Sequence, residues 1–96
     1  MPSERKYDHS KIGRALNATA VAVVKTDLDT ALTFARIAED ATDARKKRRN
    51  RKNARKAYDS IVDYEKRLEL TAEERQEIGT KLGRLRSALT RLGERF

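Results

Sequence analysis

The chain has 96 residues, the length of one small domain with room for a single hydrophobic core. Charged residues make up 40% of the sequence, with 23 Lys and Arg against 15 Asp and Glu. The lack of cysteine excludes a disulfide framework and thiolate metal or redox chemistry, and we expect a cytoplasmic protein. The most apolar stretch, 15–24, falls well short of the roughly 20 residues that a spanning helix needs, so no transmembrane segment is expected.

The first half of the chain predicts a short tail followed by two helices. Residues 1–10 are polar and aperiodic, which predicts a disordered N-terminal tail ahead of a single helical-bundle domain at 11–96. Apolar residues recur at intervals of three and four over 11–25, which favours a first helix. A second helix is predicted at 27–41, because Asp27 and Asp29 suit a helix N-terminus and Leu28, Leu32 and Ala35 form an apolar stripe.

A third helix is predicted at 43–69, with Thr42 as its N-cap. Neither Gly nor Pro separates it from the second helix, so one long helix over 27–69 is the alternative. Residues 45–53 contain no apolar side chain, whereas Ala54, Tyr58 and Ile61 begin a face with helical periodicity. We therefore expect only the second half of this helix to pack.

The last helix is predicted at 72–93. Thr71 and Glu74 have the spacing of a capping box, and Gly93 is suited to ending the helix. Gly79 and Gly83 lie beside its apolar seam, where we expect small residues to allow a close helix approach. Together these segments predict an all-α protein, a small antiparallel bundle of three to four helices.

The strongest charge feature is the run 45–56, which holds nine Lys and Arg and no acidic residue. Cations concentrated on three helical turns can track a phosphate backbone, and asparagines among them can reach base edges. The alternative is that carboxylates such as Glu39, Asp40 and Asp43 neutralise the run. The predicted nucleic-acid-binding residues are Arg45, Lys46, Arg48, Arg49, Asn50, Arg51, Lys52, Asn53, Arg55 and Lys56.

The apolar seam of the last helix repeats every three or four residues and supports a second hypothesis. It is regular enough to serve either as core or as a contact face between copies of the chain. The residues of this predicted interaction seam are Ile78, Leu82, Leu85, Leu89, Leu92 and Phe96. The favoured function is a non-enzymatic structural or protein-interaction module that forms a homo-oligomer, with binding of nucleic acid or another polyanion as the alternative.

Catalytic and metal-binding chemistry find little support in the sequence. His9 is the only histidine and falls in the predicted tail, without a second ligand beside it. Paired acidic residues such as Asp59 and Asp63 are typical of a solvated helix face. We therefore predict no catalytic residue, no metal, no cofactor and no small-molecule ligand.

Overall fold

Three helices make up the fold in the computed structural model, which describes residues 9–96 and their side chains from Arg14 onward. They are α1 (His9–Asp40), α2 (Ala44–Glu65) and α3 (Ala72–Arg91), and the described residues contain no strand. The prediction of an all-helical fold is confirmed. None of these three helices is long and apolar enough to cross a bilayer.

The helices predicted at 11–25 and 27–41 are one continuous helix, α1, so the predicted break near Thr26 is wrong. Nothing near Thr26 ends a helix, because residues 14–40 contain neither Gly nor Pro and the buried stripe of α1 continues through this point. The buried residues follow intervals of three and four: Val21, Val24, Leu28, Ala31, Ala35 and Ala38. Residues 1–8 of the predicted tail lie outside the described residues, whereas His9 and Ser10 belong to α1.

The chain turns between α1 and α2, so the alternative of one long helix over 27–69 is wrong. Asp43, and not Thr42, is the N-cap of α2, because its carboxylate accepts a hydrogen bond from the backbone N–H of Arg45 at 2.9 Å. At its other end α2 stops at Glu65, short of the predicted residue 69. The side chain of Asn17 holds the turn that follows, since it bonds both the N–H and the C=O of Glu69 at 2.9 Å.

Both predicted boundary signals of α3 are confirmed. Thr71 and Glu74 form the capping box, each side chain accepting from the other residue's backbone N–H. Gly93 has φ of 98°, and the N–H of Glu94 reaches the carbonyl of Leu89 at 2.9 Å, as in a Schellman motif. The expectation for Gly79 and Gly83 is wrong, because a Cβ at either position would meet no atom within 4 Å.

α1 and α3 run side by side in the same direction. Four polar contacts join them and the turn before α3, and every one links residues 52 positions apart. A constant difference in residue number means that α1 and α3 run parallel and advance by the same distance per residue. The pairs are Asn17 with Glu69, Lys25 with Glu77, Asp29 with Lys81, and Glu39 with Arg91.

α2 returns along α1 and brings its first half beside the end of α3, where Arg51 and Arg55 meet Glu94. The core between the helices is lean and rich in alanine where α2 begins: Ala31, Ala35, Ala38, Ala54 and Ala88 are all buried there. Larger side chains fill the other half, including Leu28, Ile61, Ile78 and Leu85. Near the basic first half of α2, the core thus combines these alanines with Leu89 and Leu92 from the end of α3 and the residue that follows it.

Candidate nucleic-acid interface

The basic run 45–56 forms the first three turns of α2. Arg, Lys and Ala are strong helix formers, and the Asp43 cap starts the helix directly before them. Two electrostatic effects disfavour cations at this position. The cations repel one another, and they sit at the positive end of the helix macrodipole with no acidic residue in the first turn.

Five of these cations share one exposed side of α2, and Lys56 lies where this side borders a groove with α1. They follow helical spacing, are exposed, and make no ion pair with any residue that the structure describes. We call them the outer stripe: Arg45, Arg48, Arg49, Lys52 and Lys56. Asp59 and Asp63 lie farther along the same side of α2, and their negative charges end the positive potential of the stripe. Lys46 and Lys47 are also exposed and likewise have no ion pair among residues 14–96.

Arg51 and Arg55 differ from the outer stripe because they are held within the fold. Arg51 Nε lies 3.2 Å from Glu94 Oε2, a charge contact without hydrogen-bond geometry, and its Nη1 lies 3.4 Å from the Leu92 carbonyl. Arg55 bonds Asp59 at 3.0 Å and Glu94 at 3.1 Å. These two arginines attach α2 to the end of α3.

The surroundings of Arg55 favour its charged form. Burial opposes the charge, but the hydrogen bond and negative charge of Asp59 and then of Glu94 outweigh it, so the pKa of Arg55 is raised. The guanidinium also lies 4.2 Å from the centre of the Phe96 ring, with Arg86 at 4.9 Å and Tyr58 edge-on. Arg55 is thus a structural residue of the bundle.

The two asparagines of the run have different environments. Asn50 is buried, with 7% of its surface exposed, and its Nδ2 donates to the Lys46 carbonyl at 2.9 Å. Asn53 is exposed and lies beside Lys56 at the edge of a groove between α1 and α2. Only Asn53 is therefore placed to reach an external hydrogen-bonding partner.

The carboxylates that were candidates for neutralising the run have other roles or none. Glu39 pairs with Arg91 of α3 at 3.2 Å. Asp43 caps α2 through the Arg45 N–H. Asp40 makes no ion pair in the described part of the chain. The outer stripe is therefore not matched by acids of its own molecule as far as the structure describes it.

The predicted interaction seam lies inside the bundle. Ile78, Leu82, Leu85, Leu89 and Leu92 are buried against α1 and α2, so they act as core. Phe96 is 46% exposed and packs on Arg55, Arg86 and Tyr58. Sequence reasoning missed Glu94, whose role becomes visible only when Gly93 turns the chain back toward α2.

No protein-family model, no curated protein and no solved structure matches this chain. The geometry of its own residues is therefore the basis for any functional inference.

Proposed function

We propose that the protein binds nucleic acid through the outer stripe of α2, as an electrostatic and non-catalytic binding module. The observation that carries this proposal is that five exposed cations share one side of a single helix without an ion pair to any described residue. Phosphate groups would relieve both the mutual repulsion of these cations and their unfavourable position in the helix dipole.

The dimensions of the outer stripe match a phosphate backbone. From Arg45 to Lys56 an α-helix rises about 16 Å, at roughly 1.5 Å per residue. One strand of B-DNA presents about five phosphates over that length, at roughly 3.4 Å of rise each. Because that strand winds around the duplex axis, a straight helix reaches these phosphates through the long, flexible side chains of its Arg and Lys residues.

The chemistry of the stripe favours nucleic acid over a lipid surface. Insertion of a helix into a membrane interface uses apolar side chains beside the cations, and the outer side of α2 has none over 45–56. Of the two asparagines, only Asn53 is available for hydrogen bonds to bases, because Asn50 is buried. We infer binding that depends on charge and shows little preference for base sequence.

Triple substitution of the outer stripe tests the proposal. We expect Arg48→Gln, Arg49→Gln and Lys52→Gln together to weaken binding of a fluorescently labelled duplex at low salt by at least about tenfold, since phosphate contacts carry the affinity. The matched control is Arg14→Gln, Lys66→Gln and Arg75→Gln, which removes the same charge from exposed residues elsewhere. Arg51 and Arg55 are left intact because their loss would disturb the fold.

The control separates a binding surface from a general effect of net charge. Equal losses in both triple variants would mean that total charge and not the stripe governs binding. No binding by the unaltered protein at low salt would refute the proposal. Circular dichroism of each variant checks that the helices are retained.

Self-association remains a second proposed property of this module. The seam of α3 no longer supports it, because that seam is core. A different surface supports it, the groove between α1 and α2.

A further inference from the structure

A continuous groove runs between α1 and α2 on the side of α1 that does not face α3. Leu16, Ala20, Val23 and Phe34 line one wall, and Ala57, Tyr64 and Leu68 line the other. Three depressions along it adjoin one another because neighbouring ones share Asp27, Ser60, Ile61 or Tyr64. The residues of α1 that meet α3, such as Lys25 and Asp29, lie on another side of the helix. We call this surface the α1–α2 groove.

The α1–α2 groove holds most of the large apolar surface that the described chain exposes. Leu16 is 66% exposed, Val23 52% and Tyr64 46%, and Phe96 is the one other large apolar side chain so exposed among the described residues. Single exposed apolar residues need no explanation, but three along one groove indicate a contact surface. The side of α1 toward this groove carries the apolar residues Leu16, Ala20, Val23 and Phe34, interrupted by Asp27 and Thr30.

The size of the groove fits a pair of helices better than a single helix. It extends over residues 14–34 of α1, about 30 Å at roughly 1.5 Å per residue. The two helices that form it make a face about 20 Å wide, given spacings of roughly 10 Å. Such a face approaches the roughly 800 Å² per partner of a stable protein interface. The same face on a second copy has matching length and width.

The charges in the groove also favour a second copy. Asp27 and Lys56 both line it, and neither makes an ion pair with a described residue. In a two-fold contact both copies present both residues, so each charge can meet its opposite. A nucleic acid or an acidic helix would instead bring negative charge toward Asp27, against a largely apolar wall.

We propose that two copies of this chain associate through their α1–α2 grooves, burying Leu16, Val23 and Tyr64 of each between four helices. The outer stripe of α2, apart from Lys56 at the edge of the groove, remains outside this contact, so the dimer carries two stripes. Each copy has a net charge of +8, and salt therefore strengthens the association by screening repulsion between the copies.

Sedimentation equilibrium of the full chain from low to high micromolar concentration tests the dimer. We expect reversible dimerisation that tightens with added salt. Val23→Glu and Leu16→Glu, each made singly, should weaken it at least about tenfold, because each places a charge in the apolar contact. Ala22→Glu is the matched control, since it adds the same charge to the same turn at an exposed position outside the groove.

A monomer at every concentration and salt overturns the proposal, whatever then covers the groove. Equal weakening by Ala22→Glu and Val23→Glu overturns it too, because the contact would lie elsewhere. The two proposals fail separately. A monomer that binds nucleic acid refutes only the dimer, and a dimer that binds none refutes only the role of the outer stripe.

Discussion

Two glycines within α3 and one just after it illustrate how differently the same residue acts at different positions. Gly93 has φ of 98°, a conformation that side chains with a Cβ rarely adopt, and it directs Glu94 toward Arg51 and Arg55. Gly79 and Gly83 lie within regular helix and face open space. They carry the entropic cost of glycine in a helix with no compensating contact.

We expect Gly79→Ala and Gly83→Ala each to stabilise the protein by up to about 1 kcal/mol, the difference in helix propensity. Gly93→Ala should destabilise it by about 1 kcal/mol, since it strains the turn that ends α3. Thermal unfolding followed by circular dichroism should show melting temperatures shifted in opposite directions. A loss of stability in Gly79→Ala would mean that the position contacts something.

Single ion pairs also separate the basic residues into two groups that the sequence does not distinguish. Arg48 and Arg51 are both arginines within one basic run, yet one is free of ion pairs with described residues and the other contacts Glu94. The difference depends on a partner about 40 positions away. Periodicity and composition predict where cations cluster, but not which of them a distant turn brings to a carboxylate.

At the scale of the helices, α1 and α3 are joined by polar contacts with one constant offset. Lys81 contributes the shortest of these pairs, with Nζ 2.7 Å from Asp29 Oδ1. This hydrogen bond, together with the negative charges of Asp29 and Glu77, raises the pKa of Lys81 despite partial burial, which opposes it. The charged form of Lys81 is therefore favoured in the folded state over the unfolded state.

The raised pKa of Lys81 sets the direction of a pH effect. Its stabilising contribution is fully present below the unfolded-state pKa of about 10.4 and is lost as pH rises through the higher folded-state value. We expect Lys81→Met to reduce the free energy of unfolding at pH 8 and to have little effect at strongly alkaline pH. Urea unfolding at a series of pH values measures this. The effect of Lys81→Met should no longer depend on pH when it is measured in a protein that carries Asp29→Asn. A pH dependence that persists there would assign it to another group.

The continuity of α1 is the feature of the fold that the sequence predicts least well. This continuity decides the architecture. A break near Thr26 would have let residues 11–25 fold back and cover their neighbours as a fourth helix. No glycine or proline enforces that break, and the 3-4 spacing of buried residues continues from Val21 to Ala38. The continuous helix leaves the α1–α2 groove uncovered. Helix faces and caps could be predicted from local sequence, whereas this groove depends on how the whole chain is arranged.

For the whole molecule, positive charge is concentrated toward one end. The basic run of α2 meets the end of α3, which adds Arg86, Arg91 and Arg95 near the same end of an elongated bundle with extents of 63 × 25 × 18 Å. The acidic residues at 57–80 lie toward the other end. The two proposals concern different faces of α2 that meet at Lys56, and salt should act on them in opposite directions.

The most direct test of the central claim is the slope of log affinity against log salt concentration for duplex DNA. Five phosphate contacts from the outer stripe predict a slope of about −4.5 for the unaltered protein, at roughly 0.9 per contact. Removal of Arg48, Arg49 and Lys52 should make the slope about 2.7 units shallower. An unchanged slope in that variant would contradict the assignment of the outer stripe as the surface that binds nucleic acid.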